Sequence, residues 1–506
     1  MASTPSQRVY SAPCPGCGAP VNFSSAQASF AVCQYCRSTV VRDGEVLKRL
    51  GTMAEVFEDY SPLQIGVTGV APRKGRNEPF TLIGRLQMRS QAGTWSEWVA
   101  LLADGTLGYL SEDNGQFVWS LPWDPGWTLR EFNAREWRLG REVKAQDQVF
   151  SVASVQDAEL VAAQGQLSEL PPQGKPYKLV ELRDSNDRVL TVDFGAKQPA
   201  YTLGVAVDLD KLRLTGLRAD ASQKKEQGRH FNCPKCGAAI SVRFDGTKSL
   251  SCPSCASLID LSAGIGQELS YAEQKRKPKL QIPLGSEATL EGRPWQVVGY
   301  QMRSGRELGE EDEGFHWDEY LLYNAKAGFA FLVDSEDGWS MGRVAVGAPK
   351  VSQSGQVATY LRNQYARESA YLATTLYAEG EFYWPVYKGQ VTSNVDFVNP
   401  AKKSSLAQET EKNETTWTHA TQIAAATLAT AFGLKELRDR SAVSPVSTSG
   451  MGCGTIFFGL FVLWIVIIMV RGCSSSSCDP RVDVNCSSSR SSGGSFGGFS
   501  SGGSHK

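Results

Sequence analysis

Short runs of alternating apolar and polar residues fill most of this chain, and they are rich in Val, Tyr, Phe and Trp. Alternation of this kind is typical of antiparallel strands that bury one face. Turn-forming pairs that end in Gly interrupt the runs, because hairpin turns need residues that tolerate positive φ. These pairs are Asp104-Gly105, Asn114-Gly115, Glu291-Gly292 and Asp337-Gly338. The pattern therefore predicts a mainly β protein.

Helical patterns are convincing in two places. The Ala-rich stretch from Thr421 to Phe432 predicts a short helix that ends at Gly433. Residues 454–470 read GTIFFGLFVLWIVIIMV, and with residues 451–453 this span reaches about 20 apolar residues, the length that a helix needs to cross a bilayer. The alternative is a buried core helix, although such helices usually have polar residues on one face. We expect a transmembrane helix at 451–470.

The chain also contains an internal repeat. The similar segments are Phe80–Gly84 with Gln87-Met88-Arg89-Ser90 against Trp295–Gly299 with Gln301-Met302-Arg303-Ser304, then Trp95-Ser-Glu97-Trp98 against Trp317-Asp-Glu319-Tyr320, and more faintly Gly165–Pro171 against Gly380–Pro385. A cysteine cluster precedes each copy, so one unit is a cluster followed by a β domain. We assign a first ribbon to 10–45, a β domain to 60–217, a linker to 219–229, a second ribbon to 230–262, a β domain to 280–434, a linker to 435–450 and a disordered Ser/Gly-rich tail to 471–506.

Eight of the twelve cysteines repeat one spacing. They are Cys14, Cys17, Cys33 and Cys36 in the first cluster and Cys233, Cys236, Cys252 and Cys255 in the second. Two Cys-x-x-Cys turns joined by a hairpin bring four thiolates together, which is the tetrahedral set that Zn²⁺ prefers. We expect those hairpins at residues 21–32 and 238–251. The spacing predicts two zinc ribbons with one ion each.

Other interpretations of the cysteines stay open. Iron also accepts four thiolates in tetrahedral geometry, and His230 lies close enough to Cys233 to replace a ligand. Disulfides or a redox motif fit less well, because the chain begins without a secretory signal and a redox pair does not explain a matched second pair. Four Cys ligands leave no open coordination position, so the predicted metal is structural rather than catalytic.

Together these motifs resemble a bacterial family, Domain of Unknown Function 4178. The resemblance rests on the Cys-Pro-x-Cys-Gly turns, the aromatic-x-x-x-Gly strand, the Trp-x-Glu-Trp/Tyr motif and the segment Gly380–Trp384, and it spans residues 10–434. It implies a membrane-linked protein without an assigned activity, encoded near genes for polyamine aminopropyltransferase-like proteins and for envelope stress.

Several other side chains are candidates for binding or catalysis. An acidic run, Glu310, Glu311, Asp312 and Glu313, suits a polyamine, a divalent cation or a basic partner, or is a solvated hairpin tip. Glu97 and Glu319 recur in the repeat and are either general acids or bases or ordinary strand residues. The aromatic residues Trp95, Trp98, Trp119, Trp123, Trp127 and Trp137 suit either ring stacking or a core.

The charge balance limits the partners. Lys and Arg total 52 and Asp and Glu total 53, so a strongly basic nucleic-acid or membrane-surface coat is excluded. A modest basic neighbourhood surrounds the second cluster at Lys224, Lys225, Arg229, Lys235, Arg243, Lys248, Lys275, Arg276, Lys277 and Lys279. Nucleic-acid binding is therefore an alternative function rather than the main expectation.

We expect a single-pass protein of the bacterial inner membrane that acts as a zinc-ribbon interaction scaffold for a protein partner. Charges that flank the span are nearly balanced, so they do not decide its orientation. Thiols that hold zinc need a reducing compartment, which places residues 1–450 in the cytoplasm and the tail outside. The rival function is an enzyme with its active site between the two β domains.

Overall fold

The computed structural model describes residues 10–25, 27–43, 46–54, 61–73, 75–90, 94–113, 116–129, 132–196, 198–218, 229–243, 247–261, 269–274, 278–308, 314–324 and 327–440. These residues form two units with the same strand order, unit 1 (residues 10–218) and unit 2 (residues 229–440). The prediction of a mainly β chain with an internal repeat is confirmed.

The strands of unit 1 are β1 (Tyr10–Pro13), β2 (Pro20–Phe23), β3 (Phe30–Val32), β4 (Ser38–Asp43), β5 (Val46–Thr52), β6 (Thr68–Arg73), β7 (Arg76–Arg89), β8 (Thr94–Leu102), β9 (Leu107–Asp113), β10 (Gln116–Pro122), β11 (Glu142–Ala145), β12 (Gln148–Leu167), β13 (Tyr177–Arg183), β14 (Arg188–Asp193) and β15 (Ala200–Ala206). A 3₁₀ helix, Leu209–Leu212, follows β15.

The strands of unit 2 are β16 (Arg229–Asn232), β17 (Ala239–Val242), β18 (Ser249–Ser251), β19 (Leu258–Asp260), β20 (Tyr271–Ala272), β21 (Glu287–Leu290), β22 (Arg293–Glu307), β23 (Gly314–Asn324), β24 (Gly328–Ser335), β25 (Gly338–Val344), β26 (Lys350–Val351), β27 (Val357–Tyr360), β28 (Asn363–Phe382), β29 (Val391–Asn399), β30 (Ser404–Thr410) and β31 (Thr415–Gln422). A 3₁₀ helix, Pro400–Lys402, precedes β30, and an α-helix, α1 (Ala425–Ala431), follows β31.

Each unit is built around an antiparallel sheet that closes on itself. Closed sheet 1 has the order β12-β13-β14-β15-β10-β9-β8-β7, and β7 pairs with β12 again. Closed sheet 2 has the matching order β28-β29-β30-β31-β25-β24-β23-β22, and β22 pairs with β28. Inward-facing residues therefore pack against one another inside each closed sheet, while outward-facing ones are covered by the remaining segments.

One long strand organises each unit. The twenty residues of β12 pair first with β11 and β13, then with β7 and finally with β3 of the ribbon. The twenty residues of β28 pair in the same way with β27 and β29, then with β22 and finally with β18. Bulges interrupt the pairing of β12 at Val152 to Ser154 and at Leu160 to Ala162. Bulges bend a strand and increase its twist, which lets one strand serve successive neighbours.

Paired glycines lie where each long strand leaves its closed sheet to reach the ribbon. Gly165 of β12 pairs with Gly84, and Gly380 of β28 pairs with Gly299. A Cβ on Gly84 would lie 2.0 Å from the Gln166 carbonyl oxygen, so the two backbones approach more closely than any side chain allows. This contact explains why the faint repeat around residues 165 and 380 is present in the sequence.

The two units contact each other through the turn between β13 and β14. Asp187 in that turn accepts hydrogen bonds from the Gly347 amide at 3.1 Å and from the Tyr360 hydroxyl at 2.7 Å. A second contact joins the long strand of unit 1 to unit 2, because the Val155 amide donates to the Asn413 carbonyl at 3.0 Å. The units therefore form a continuous structure rather than two separate bodies.

The C-terminal part of unit 2 returns to closed sheet 2. Helix α1 confirms the predicted helix but begins at Ala425, because residues 421 and 422 still pair in β31. Arg440 then binds Asp318 at 2.5 Å and Asp334 at 3.2 Å, although the sequence pattern assigns this residue to a linker. Residues 441–506, which include the predicted transmembrane helix at 451–470 and the tail, lie outside the described residues. In the part of the chain that is described, no helix has the length and apolar character needed to cross a bilayer.

Candidate metal centres

The four cysteines of the first cluster converge at the tips of two adjacent hairpins. Cys14 and Cys17 lie in the turn between β1 and β2, and Cys33 and Cys36 lie in the turn between β3 and β4. Their sulfur atoms are all within 4.8 Å of one another. The Sγ atoms of Cys14 and Cys36 are 3.7 Å apart, as are those of Cys17 and Cys33.

The second cluster repeats this arrangement. Cys233 and Cys236 lie between β16 and β17, and Cys252 and Cys255 lie between β18 and β19. The Cys233 and Cys255 sulfurs are 3.8 Å apart, and the Cys236 and Cys252 sulfurs are 3.7 Å apart. His230 lies on β16 and is not one of the four ligands grouped there. The predicted sets of four thiols are therefore both assembled.

The predicted position of the hairpins is wrong. Each Cys-x-x-Cys turn joins the two strands of its own hairpin, whereas the prediction placed one hairpin between the two turns, at residues 21–32 and 238–251. Strand β2 pairs with β1, and β3 pairs with β4 and with β12. The reason is local: the backbone of each turn closes on itself, since the Gly18 amide donates to the Cys14 carbonyl at 2.8 Å and the Cys14 amide donates to Ala19 at 2.7 Å.

The sulfur geometry fits a tetrahedral metal ion. Four ligands at about 2.3 Å from one ion lie about 3.8 Å from each other, which agrees with the 3.7 to 3.8 Å between the sulfurs of two pairs in each tetrad. All four sulfurs of a tetrad lie within 4.8 Å of one another. A disulfide would require about 2.05 Å, and all eight cysteines are free thiols. The two tetrads can therefore each hold one metal ion.

A serine lies behind one ligand of each tetrad. Cys36 Sγ is 3.2 Å from Ser38 Oγ, and Cys255 Sγ is 3.4 Å from Ser257 Oγ. The hydrogen bond with the Ser38 side chain lowers the pKa of the Cys36 thiol to about 6, and Ser257 has the same effect on Cys255. Metals bind the thiolate form, so each serine favours the metal-binding form of the cysteine next to it.

Both ribbons are hydrogen-bonded to the end of the long strand. In unit 1 the Gln166 side-chain oxygen accepts hydrogen bonds from the Ser24 amide at 2.6 Å and from its hydroxyl at 3.0 Å. In unit 2, Glu381 has this role and accepts from the Arg243 amide at 3.1 Å and the Thr247 hydroxyl at 3.0 Å. The second cysteine hairpin of each ribbon is thus part of the same sheet as the closed sheet, whereas the first cysteine hairpin forms a two-stranded sheet of its own.

The other residues that the sequence suggests for binding lie in several different parts of the molecule. Glu310, Glu311, Asp312 and Glu313 lie outside the described residues, so their binding of a cation or polyamine stays a prediction. Trp95, Trp98, Trp119 and Trp137 are buried in cores, and Trp123 and Trp127 pack partly buried on the outer face of closed sheet 1. Among the described basic residues near the second ribbon, Lys235 forms an ion pair with Glu273 at 3.0 Å.

Glu319 lies inside closed sheet 2 beside a buried arginine. Arg303 is fully buried, and its guanidinium is 2.7 Å from Glu409 and 3.8 Å from Glu319. The same guanidinium donates to the Thr392 hydroxyl at 2.7 Å and lies over the Trp317 ring. Burying a charge is costly unless it is paired and hydrogen-bonded, and Arg303 satisfies that requirement with two carboxylates.

Glu97 occupies the matching place inside closed sheet 1. It accepts hydrogen bonds from Trp95 Nε1 at 2.7 Å and from the Ser111 hydroxyl at 2.9 Å. Burial raises the pKa of Glu97 to about 8, and burial raises the pKa of nearby Asp193 to about 8 as well. Met88 lies where Arg303 lies in unit 2, opposite the first Trp of the motif.

Strand register explains why the sequence comparison misses Arg303. The similar segments suggest that Arg303 matches Arg89, yet Arg303 lies opposite Trp317 while Met88 lies opposite Trp95. A shift of one residue sends every side chain of a strand to the other face. Arg89 is accordingly more than half exposed and pairs with Glu159 at the surface.

Titratable side chains also meet between the two units, where the enzyme hypothesis places an active site. Asp187 accepts from Tyr360, and the Tyr365 hydroxyl lies 3.2 Å from His419 Nε2. Burial lowers the pKa of His419. Tyr360 and Tyr365 are both buried, and their hydroxyl groups are hydrogen-bonded to Asp187 and to His419.

Comparison with known proteins assigns the two closed sheets to one protein family. No curated protein and no solved structure matches the chain. The family model described as "Domain of unknown function (DUF4178)" matches residues 76–209 and 283–425, which together exceed half of the chain. The matched regions cover closed sheets 1 and 2 and exclude both cysteine clusters, so the similarity is narrower than the span of 10–434 suggested by the motifs. The chain belongs to the DUF4178 family and carries its domain twice.

Proposed function

We propose that this protein is a membrane-anchored interaction scaffold whose two units are stabilised by structural zinc. The observation that carries the proposal is the convergence of eight thiols into two closed tetrads that continue into the large sheets. Four thiolates occupy every position of a tetrahedral ion, so a substrate has no free coordination position. The metal then stabilises the ribbon rather than activating water.

Zinc is our assignment for both sites. Structural zinc in all-cysteine ribbons supplies much of the folding energy, because a small hairpin pair has little core of its own. Ribbon 1 (β1 to β5) packs only a small apolar cluster around Val21, Phe23 and Val40. Iron in the same geometry is the alternative, and elemental analysis separates the two.

The surface of ribbon 1 supports a role in binding a protein partner. Tyr35 is 66% exposed at the tip of the second cysteine turn, and Val46 and Leu50 are 61% and 57% exposed on β5. Among the residues that the structure describes, β5 is the last strand in its sheet, and its outer edge pairs with no further strand. Exposed apolar and aromatic residues around an open strand edge are typical of protein interaction sites.

The membrane anchor is proposed from the sequence of residues 451–470. This apolar span is long enough to cross the bilayer. Thiols that must stay reduced to hold metal favour a cytoplasmic location for residues 1–450. Residues 471–506 then lie on the outer side of the membrane, opposite the cytoplasm.

Two measurements on the whole chain test the metal and the anchor. Elemental analysis of the purified protein should give two zinc ions per chain, and one ion, none, or iron would contradict the assignment. Fractionation of cells should place the chain in the membrane fraction, resistant to alkaline carbonate. A variant with residues 451–470 deleted is the matched control and should become soluble.

Site-specific crosslinking tests the scaffold function. A photoreactive residue at position 35 should give a crosslinked protein product in membranes, and the same residue at exposed Leu361 of unit 2 is the control. The product should disappear when Cys14→Ser removes the metal from ribbon 1. Absence of any product at position 35, or equal products at both positions, would contradict a binding surface there. Crosslinked nucleic acid instead of protein would support the alternative function.

A further inference from the structure

An apolar groove of about 400 Å³ lies on the outer face of closed sheet 1. It runs between β6, β7 and the end of β8, and the segment after the 3₁₀ helix forms its other wall. Its volume falls within the range of roughly 300 to 1,000 Å³ that is usual for small-molecule sites. The groove is therefore large enough for a small ligand.

The floor of the groove is apolar and well supported. Phe80 and Leu102 line it and are themselves buried, and Val70 covers one side. The Phe80 ring packs on Trp119 with 5.0 Å between the ring centroids. A packed floor of this kind keeps its shape without a ligand, so a ligand pays little to order it.

One cation stands at the rim. Arg213 lines the groove and follows the 3₁₀ helix with a left-handed φ of 49°. Within the described residues it has no ion pair or hydrogen bond through its side chain. Arg73 at the far end of β6, by contrast, is paired with Glu78 and Asp104, both at 2.7 Å. The Arg213 guanidinium is thus available to an anion.

The matching face of unit 2 is filled by the protein itself. Trp295 occupies the place of Phe80 and is buried in a cluster with Leu290 and Leu428 of α1. Arg343 lies over the Trp295 ring and is paired with Glu291 at 2.8 Å. An open groove with an unpaired arginine is therefore not a necessary result of the fold, and unit 1 differs from unit 2 here.

We infer that this groove binds a small amphipathic monocarboxylate. The apolar body of the ligand would lie on Phe80, Leu102 and Val70, and its carboxylate would pair with Arg213. Guanidinium groups bind carboxylates in a bidentate manner, which gives both affinity and orientation. A ligand with the same apolar body and no charge would leave Arg213 unsatisfied and bind more weakly.

Calorimetric titration with octanoate tests this inference. The probe is added to the full chain in nanodiscs of phosphatidylcholine, which lack anionic lipid, and 1-octanol serves as the uncharged probe. Octanoate should bind in a saturable manner, at one site per chain, and up to roughly fivefold more tightly than octanol, the ratio that one exposed ion pair supplies. Equal affinity for both probes, or no saturable binding, would overturn the inference.

Variants locate the site. Arg213→Ala should weaken octanoate binding by up to roughly fivefold and leave octanol unchanged, and Val70→Trp should abolish binding of both by filling the groove. Arg138→Ala, which removes another exposed arginine of unit 1, is the control and should bind like the unmodified chain. An unchanged urea unfolding curve shows that each variant is folded. Octanoate binding that survives Arg213→Ala would place the ligand elsewhere and overturn the assignment.

Discussion

The interiors of closed sheets 1 and 2 have acidic side chains at matching places but neutralise them differently. In unit 2, Arg303 lies between Glu319 and Glu409. In unit 1, Met88 takes the place of Arg303, and the buried Arg183 is bonded to a different acid, Glu181.

Met88 offers Glu97 no positive charge, and burial raises the pKa of Glu97 to about 8. Burial also raises the pKa of Asp193 to about 8. A duplicated fold thus keeps its shape while the matching glutamates differ: Glu319 lies beside a buried arginine, and burial favours the protonated form of Glu97.

The largest expected effect comes from removing a metal ligand in one unit. Cys233→Ser should release one of the two metal ions and unfold ribbon 2, because structural zinc contributes about 10 to 16 kcal/mol in zinc-finger peptides. Ribbon 1 should keep its ion, and Cys14→Ser should give the reverse result. Metal content per chain and hydrogen exchange of each ribbon measure this. Loss of both ions from either single variant would show that the units do not fold independently.

Removing the buried cation should be the next largest effect. Arg303→Met copies the residue of unit 1 into unit 2 and leaves Glu319 and Glu409 buried without their cation, which should cost about 3 to 5 kcal/mol of unfolding free energy. Arg89→Met is the matched control, since the exposed Arg89–Glu159 pair is worth about 0 to 1 kcal/mol. Urea unfolding followed by hydrogen exchange in unit 2 measures the difference. Equal effects of both substitutions would contradict the role given to Arg303.

Replacing each of the matching glutamates by glutamine should distinguish the interiors of the two closed sheets further. Glu319→Gln removes a carboxylate from Arg303 and should cost about 1.5 to 3 kcal/mol. Glu97 is already largely protonated at neutral pH, so Glu97→Gln should change the unfolding free energy by less than about 1 kcal/mol. The same urea unfolding experiment at pH 7 compares them. A larger loss for Glu97→Gln than for Glu319→Gln would mean that Glu97 is ionised.

The pH dependence should be the smallest effect and confined to unit 1. The pKa of Glu97 in the folded protein, about 8, is above its unfolded value, so the folded state binds more protons and loses stability as the pH rises toward 8. Each such group contributes at most about 1.4 kcal/mol per pH unit, and the slope ends above pH 8.

Hydrogen exchange at pH 7 and 9, corrected for intrinsic rates, should therefore show loosening of closed sheet 1. In closed sheet 2 the pKa of Asp334 is raised by burial only to about 6, so that group titrates below this window. Glu97→Gln should reduce the slope in unit 1. Equal loosening of both closed sheets would contradict the comparison.

Much of the metal site follows from local sequence. The Cys-x-x-Cys spacing identified all eight thiols, because a tight turn determines where its two sulfurs lie. The same spacing did not show which strands pair, since Val32 and Ala31 of β3 bind the distant strand β12 rather than β2. Pairing between segments far apart in the chain depends on the whole fold.

The buried charges were the hardest feature to predict. Arg303 and Arg89 belong to similar sequence segments but lie on opposite faces of their strands. The shift arises between the paired glycines and the similar segments, because two residues separate Gly84 from Gln87 whereas one residue separates Gly299 from Gln301. A difference of one residue in spacing sends the following side chains to the other face of the strand. Glu409 likewise carries no local signal, because its partner comes from another strand.

The long strand β12 also has a mechanical consequence. One end of it is hydrogen-bonded to ribbon 1 through Gly165 and Leu167, and its Val155 amide binds Asn413 of unit 2. Hydrogen bonds in an antiparallel sheet run perpendicular to the strands, so a force along β12 loads its three residue pairs with β3 in shear together. Tension applied between ribbon 1 and unit 2 then passes along the backbone of β12 to its contact with Asn413. A partner that pulls on ribbon 1 would transmit that force across unit 1 to unit 2.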